Sequence, residues 1–210
     1  RQEKCLENEL AIAPEDITNI ILTHLHFDHV GGLGKGESGQ DIIFKNATIH
    51  LHKKHYEYSL APSLRDSGSF QKHFFAPVIS WYAEKSQINF IENDEGHVLT
   101  DGDDRINFKC SFGHTPYMLH PIFSKYIAMA DLVPMSHHVK LPWVMGYDIE
   151  PGVTTVFKQK FYSDIMKDDL CMIFEHDVEF WGGKLGINDR DQFILTQQNT
   201  SSQEKTEALK

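Results

Sequence analysis

The sequence predicts a mixed α/β fold, because short apolar runs typical of buried strands alternate with longer segments of helical periodicity. Apolar residues make up 40% and charged residues 24% of the 210 residues, as in an ordinary globular domain with a hydrophobic core. The alternation shows no internal repeat and no clear linker. We therefore predict one domain over residues 1–196 and a polar, disordered tail over residues 197–210.

The elements follow from local patterns. Pro14, followed by Glu15 and Asp16, predicts the start of a helix, because proline suits the first helical position and acidic residues favour the first turn. Two helices are predicted over residues 53–60 and 69–84, with a loop rich in Pro, Ser, Asp and Gly between them. An apolar stripe at helical spacing predicts a third helix over residues 153–165. Apolar runs bounded by turn residues predict strands over residues 19–23, 47–51, 88–92, 98–99, 106–112, 126–130 and 170–174.

Charge and cysteine content exclude several classes of protein. The formal net charge of −10 argues against a general nucleic-acid binder and against binding to an anionic membrane surface. No apolar run approaches the roughly 20 residues of a membrane-spanning helix. Cys5, Cys110 and Cys171 are too few and too widely spaced for a disulfide framework or a cysteine-based zinc site. Because the cysteines are not paired, we expect a cytoplasmic location.

The strongest chemical signal is the run His24-Leu25-His26-Phe27-Asp28-His29, in a chain that holds 13 histidines. It follows a predicted buried strand, and ligand sites of α/β sheets lie at the carboxyl ends of strands. Because side chains alternate along extended chain, His24 and His26 are expected to point the same way. Imidazole and carboxylate groups are metal ligands, so this turn predicts a metal site.

Three later residues occupy equivalent positions after predicted strands. His114 follows the strand over 106–112, Asp131 follows the strand over 126–130, and His176 follows the strand over 170–174. Each alone is an ordinary residue of a turn. Because four strand ends carry metal-competent side chains, we expect these residues to belong to the same metal centre.

The motifs THLHFDHVGG, GHTP, ADLVP and FEHD, in this order, resemble those of the metallo-β-lactamase superfamily, specifically a bacterial branch with lactonase-like and organophosphate-hydrolase-like members. The resemblance implies a four-layer αββα sandwich, classed as α/β or α+β. It implies two divalent metal ions, zinc first and manganese or iron as alternatives. It assigns His24, His26 and His114 to one ion, Asp28, His29 and His176 to the other, and Asp131 to a bridging position. Asp28 and Asp131 are counted as catalytic as well.

The implied function is a dinuclear hydrolase that uses a hydroxide held between two metal ions to cleave a small ester, lactone or related substrate. A thioester hydrolase of the glyoxalase II type and a phosphotriesterase are the alternatives on the same site. A nuclease is disfavoured by the acidic charge, and a dioxygenase would hold a single iron ion. A non-catalytic, metal-stabilised binding or partner subunit remains as an alternative of another class.

The segment 137–148 follows Asp131 closely and resembles a segment of the same branch. Trp143, Met145 and Tyr147 are candidates for an apolar substrate wall, and His138 or Tyr147 is a candidate for binding a substrate oxygen. The alternative is that these residues only pack within a loop. The resemblance also predicts that the first strands of the N-terminal sheet are missing from this chain. The expected binding partner is a small-molecule substrate. The chain is also a candidate for forming a homodimer or for associating with its missing N-terminal segment.

Overall fold

The computed structural model describes residues 2–200, with side chains described from residue 6 onward. It divides into two compact units, the first ending at Asn93 and the second beginning at Asp94. Each unit has its own sheet and its own buried apolar cluster. The combination of helices and sheets confirms the predicted mixed class.

The first unit contains four helices and five strands. They are α1 (Gln2–Leu10), β1 (Asn19–Ile21), α2 (Phe27–Val30), β2 (Gly34–Lys35), β3 (Asp41–Ile42), β4 (Thr48–His52), α3 (Lys53–Leu60), α4 (Lys72–Glu84) and β5 (Ile88–Ile91). Strands β1, β4 and β5 form a parallel sheet in the order β1-β4-β5, and β2 and β3 form a separate antiparallel pair.

The core of the first unit lies around the central strand β4. Ile49 and Leu51 are fully buried in this strand, as expected for a strand flanked by neighbours on both sides. Helix α4 presents a stripe of buried residues with helical spacing, among them Phe75, Val78 and Tyr82. The Tyr82 hydroxyl donates a hydrogen bond of 2.9 Å to the Phe44 carbonyl, so its polar tip is satisfied inside the core.

Within residues 94–200, the second unit contains one long helix and seven strands. They are β6 (Glu95–Asp101), β7 (Asp104–Ser111), β8 (Met118–Phe123), β9 (Tyr126–Ala128), α5 (Pro151–Lys167), β10 (Cys171–Ile173), β11 (Phe180–Ile187) and β12 (Phe193–Thr200). The strands form one sheet in the order β12-β11-β10-β9-β8-β7-β6. All neighbours are antiparallel except β9 and β10, which α5 connects as a parallel pair.

Several predicted elements are confirmed, and two predictions are wrong in part. The predicted helices at 53–60, 69–84 and 153–165 correspond to α3, α4 and α5, although α4 begins at Lys72. At Pro14 only a short 3₁₀ turn, Pro14–Asp16, forms, because Ile17 returns the backbone to an extended conformation before β1. The polar run 197–200 belongs to β12, where backbone pairing with β11 outweighs its polar character. The rest of the predicted tail, 201–210, lies outside the described residues.

No helix within residues 2–200 combines the length and the apolar character that are needed to cross a membrane.

Gly113, directly before His114, has a backbone conformation that only glycine adopts easily. Its φ is +115°, and a Cβ added there would lie 2.4 Å from the Thr154 backbone nitrogen. We expect Gly113→Ala to lower the free energy of unfolding by at least about 2 kcal/mol, because backbone strain adds to a clash with helix α5. Thermal unfolding measures this. Gly152→Ala is the matched control, because a Cβ there meets nothing within 4 Å. Equal melting temperatures for the two variants would contradict the prediction.

Candidate metal centre

The histidine-rich motif of the first unit forms the turn between β1 and α2. The Leu22 amide donates to the His50 carbonyl at 3.0 Å, which keeps the chain beside β4 just beyond the end of β1. His26 then caps α2, because its carbonyl accepts hydrogen bonds from the amides of His29 and Val30. The side chain of Leu25 is fully buried and anchors the turn in the core. The turn thus holds several polar side chains on a fixed backbone.

Three imidazole rings of this turn lie against one another. The ring centroid of His24 is 4.0 Å from that of His29 and 4.5 Å from that of His26. His24 and His26 are buried, whereas the side chain of Asp28 is 39% exposed. His29 Nε2 lies 3.7 Å from Asp28 Oδ2. The first unit therefore brings together all four of its predicted ligands.

The hydrogen-bonding partners of His24 and His26 indicate which nitrogen of each ring carries the proton and which is available to a metal ion. His26 Nε2 lies 2.9 Å from Asp66 Oδ1, a buried carboxylate from a distant loop. A carboxylate accepts from this nitrogen, which places the ring proton on Nε2 and leaves Nδ1 as the ligand atom. His24 Nδ1 lies 3.1 Å from Thr23 Oγ1, and a proton on this Nδ1 would leave Nε2 as the ligand atom. Both rings are oriented as metal-ligating histidines usually are.

A further histidine supports the backbone of the same turn. The Leu25 amide donates a hydrogen bond of 2.9 Å to Nε2 of His55, which is fully buried on α3. Accepting this bond requires the neutral form of His55 with its proton on Nδ1. His55 therefore holds the chain between His24 and His26, a structural role in place of a ligand role.

In the second unit, Asp131 lies between two histidines. Asp131 Oδ2 is 3.1 Å from His114 Nε2, and Asp131 Oδ1 is 3.1 Å from His176 Nε2. Asp131 and His114 are buried, and the side chain of His176 is 30% exposed. Each oxygen of this carboxylate thus lies beside the Nε2 atom of a different histidine. The three predicted ligands of this unit are thus brought together.

The second ring nitrogen of His114 contacts another carboxylate. His114 Nδ1 lies 2.9 Å from Oδ1 of Asp148, which is fully buried. Burial lowers the pKa of His114, but hydrogen bonds and charges of Asp131 and Asp148 outweigh it and raise this pKa to about 9. The metal-free imidazole is therefore charged at neutral pH and donates to both carboxylates. Asp148 retains the proton on Nδ1. Loss of the other proton, from Nε2, therefore makes Nε2 available as the ligand atom.

The donor set of each unit fits a borderline divalent ion. Each unit supplies imidazole nitrogens together with at least one carboxylate, a combination that suits zinc, manganese or iron better than magnesium or calcium. In His26 and His114 a buried carboxylate engages the nitrogen that would not bind the metal. Such oriented histidines are what a metal site requires and what a solvated histidine turn does not need.

Asp177, the neighbour of His176, anchors its turn. The Asp177 carboxylate accepts hydrogen bonds from the backbone amides of Ser136, Glu179 and Phe180. Desolvation by burial is the largest single contribution and raises the pKa of Asp177, but the hydrogen bonds together outweigh it and lower this pKa to about 2. The His176 amide donates to the Pro134 carbonyl at 3.1 Å. These contacts fix the backbone that carries His176.

The candidate substrate residues all lie in the second unit. His138 is half-buried, and desolvation lowers its pKa. Trp143 is 47% exposed and Tyr147 is 71% exposed. Trp143 lines a cleft of about 390 Å³, together with residues of β11 and β12. A role in substrate binding stays a prediction for all three.

Sequence reasoning missed the residues that orient the ligands. Asp66 and Asp148 lie outside helices and strands, where the local sequence carries no metal signal, and His55 lies on α3. Asp66 is 40 positions from His26, and Asp148 is 34 positions from His114, so only folding brings these pairs together. Asp177 was visible in the motif FEHD but had no assigned role.

Proton release on metal binding provides a test of His114. At pH 8 a histidine with the usual pKa of about 6.5 is neutral, whereas metal-free His114 is still charged. We expect zinc binding to release the His114 proton, and apparent affinity to rise by up to about tenfold per pH unit until pH 9. Calorimetry in two buffers of different ionisation enthalpy counts the protons. Asp148→Asn is the control, because losing this carboxylate lowers the pKa and the proton count. Identical counts for both proteins would contradict the prediction.

Comparison with known proteins identifies relatives of the chain. The family model described as "Metallo-beta-lactamase superfamily" matches residues 1–164. The chain is 25% identical over 187 residues to the N-acyl homoserine lactonase AttM of Agrobacterium fabrum, covering 86% of this chain and 66% of that protein. It is 29% identical over 109 residues to the lactonase AttM of Azorhizobium caulinodans, covering 51% and 36% of the two chains. The chain thus spans less than two thirds of the length of these relatives.

Solved structures show the same fold. AidC, described as a dizinc quorum-quenching lactonase in complex with a product, superposes with a TM-score of 0.73 at 20% identity, covering 94% of this chain and 69% of that chain. A probable metal-dependent hydrolase from Staphylococcus aureus superposes with a TM-score of 0.72 at 22% identity, covering 90% and 65%. At this level of identity the likeness establishes the fold alone.

Proposed function

The chain belongs to the metallo-beta-lactamase superfamily, and on this premise we propose that it is a dinuclear metal-dependent hydrolase of small lactones and related esters. The observation that carries the proposal is Asp131, a buried carboxylate with one oxygen 3.1 Å from His114 and the other 3.1 Å from His176. The relatives named as lactonases support the choice of substrate.

We propose the ligand assignment that the family resemblance implies. His24, His26 and His114 would hold one ion, Asp28, His29 and His176 would hold the other, and Asp131 would bind both. Zinc is the first candidate, with manganese and iron as alternatives. The orientation of His26 by Asp66 and of His114 by Asp148 supports this assignment, because each leaves one ring nitrogen available as a ligand.

Bound divalent ions supply a nucleophilic water at neutral pH and polarise the substrate carbonyl. The protein supplies the orientation of the groups around them. Asp148 keeps the His114 proton on Nδ1, and Asp66 keeps the His26 proton on Nε2, so neither ring turns away from its ion. The burial of Asp131, His24 and His26 keeps the surrounding dielectric low, which strengthens electrostatic interactions with developing negative charge.

A substrate panel tests the proposal. The zinc-loaded and manganese-loaded proteins are assayed on an N-acyl homoserine lactone, an aliphatic ester, a thioester and a phosphotriester. We expect the lactone to give the highest kcat/KM. Preference for the thioester or the phosphotriester would overturn the substrate assignment while leaving a hydrolase. A fully metal-loaded protein that cleaves none of the four would favour a binding or partner role instead.

A further inference from the structure

The buried cation Lys158 is not used by the metal centre. It lies on α5 and is fully buried, with its Nζ donating to the carbonyls of His138, Lys140, Leu141 and Trp143 at distances of 2.6, 2.6, 3.2 and 2.8 Å. One helical turn later the hydroxyl of Tyr162 donates to the Val139 carbonyl at 2.7 Å. Five backbone carbonyls of one short segment, 138–143, thus point at the same face of α5.

Burying an ammonium group costs more free energy than burying an apolar side chain of similar size. Desolvation lowers the pKa of Lys158 to about 8, whereas an apolar side chain of similar length would pack without this cost. The 138–143 segment contains no strand and only a single turn of 3₁₀ helix, Ser136–Val139. Its carbonyls need donors, and the three N–H groups of one ammonium are shared among four of them. Lys158 therefore determines the path of this segment.

The 138–143 segment forms the walls of two clefts in the second unit. Val139, Lys140 and Trp143 line the cleft of about 390 Å³, and Lys140, Leu141 and Trp143 line a neighbouring cleft of about 330 Å³. Trp143 belongs to both, and the Lys140 ammonium lies 4.5 Å from its ring centroid. Trp143 is therefore part of the wall of both clefts.

The larger cleft is connected to the turn that carries a candidate ligand. Ser136 and Phe180 line it, and the amides of both residues bond to the carboxylate of Asp177, which follows His176 in the chain. Apolar side chains on β12, including Phe193 and Leu195, complete its wall. The cleft and the turn that carries His176 therefore share the residues that bond to Asp177.

We propose that Lys158 is a positioning residue for substrate selectivity: its hydrogen bonds to the 138–143 segment fix Trp143 and so determine the length of apolar substituent that the clefts accept. The proposal rests on the proposed lactonase function. It requires no contact between Lys158 and substrate, because the side chain acts through the backbone carbonyls that it holds.

The kinetic test compares zinc-loaded Lys158→Met with the unchanged protein on lactones with four-carbon and ten-carbon acyl chains. We expect KM for the long-chain lactone to rise about tenfold, and KM for the short-chain lactone and both kcat values to change less than about twofold. Metal content is expected to stay the same. Trp143→Ala supplies a double-mutant cycle: if Lys158 acts through Trp143, adding Lys158→Met to Trp143→Ala raises KM no further. A long-chain KM unchanged by Lys158→Met, or additive effects, would overturn the proposal.

Limited trypsin digestion gives a readout that does not depend on activity. Lys140 is exposed, and cleavage after it reports on the 138–143 segment. We expect Lys158→Met to be cut there faster, and Tyr162→Phe, which removes one hydrogen bond to the same segment, to be cut at an intermediate rate. Equal rates would overturn the role of Lys158 even if no lactone is a substrate. If Lys158→Met does not fold, Tyr162→Phe decides: an unchanged cleavage rate and chain-length preference would overturn the proposal.

Discussion

Asp131→Ala is expected to lower kcat/KM by more than about 10³-fold, because the substitution removes the carboxylate whose two oxygens face His114 and His176. It also leaves His114 with only one carboxylate partner. Steady-state kinetics on the best substrate of the panel measures the activity, and elemental analysis measures the metal content. We expect both ions to be affected, whereas His114→Ala is expected to cost one ion.

The matched control for this prediction is Asp101→Ala in the same unit. Asp101 is an exposed aspartate at the end of β6, and we expect its removal to leave kcat/KM and metal content unchanged. Retained activity in both Asp131→Ala and His114→Ala would remove the proposed site. An equal loss in Asp101→Ala would show that the effect is a general one on folding.

Removal of metal by a strong chelator is the second change with a large expected effect. We expect hydrolysis to be lost, and Zn²⁺ or Mn²⁺ to restore it, whereas Mg²⁺ does not, because imidazole-rich sites bind magnesium poorly. Metal binding also stabilises the folded state. At a free zinc concentration 1,000 times the Kd this contribution is about 4 kcal/mol, so the melting temperature of the metal-free protein falls by about 8–16 °C.

Two measurements follow the chelation experiment, namely turnover and thermal unfolding, with a mock-treated sample as control. A dialysed protein that contains no metal and keeps its full turnover rate would exclude a metal-dependent reaction. A melting temperature unaffected by zinc would show that the histidines and aspartates do not bind the ion in the folded state.

Elements with a strong local pattern were predictable from the sequence, and those that depend on pairing were not. Helix α5 follows from its buried stripe, and β4 follows from an apolar run. Strand β8 was missed because it contains Pro121, which supplies no amide hydrogen for sheet pairing and weakens the strand signal. Strand β11 was missed because of Gly182 and Gly183. An added Cβ at these positions would lie 2.3 Å from the carbonyl oxygens of Met172 and Gln197, so packing requires glycine where propensity disfavours it.

The candidate site also combines residues that the sequence predicts with residues that only the fold brings together. His24, His26, Asp28 and His29 are adjacent in the chain, so one turn suffices to predict that they lie together. Asp131 and His176 each follow a predicted strand, which indicates that they belong to the same site. The structure brings these two side chains within hydrogen-bonding distance in the second unit. Asp66 and Asp148 could not be predicted, because an aspartate in a loop carries no sign of which histidine it will orient. Only the folded backbone determines that pairing.

The parallel pairing of β9 and β10 has a consequence for the order of folding. Strands β6, β7 and β8 pair with chain neighbours, whereas β9 and β10 meet only after the chain between Ala128 and Cys171, including α5, has closed into a loop. Contacts of large sequence separation form slowly. In pulse-labelling hydrogen exchange during refolding, we expect amides of β7 to gain protection before those of β10. Simultaneous protection would contradict this order. Since Asp131 and His176 follow these two strands, their meeting belongs to the late step, and zinc is expected to leave the early phase of refolding unchanged.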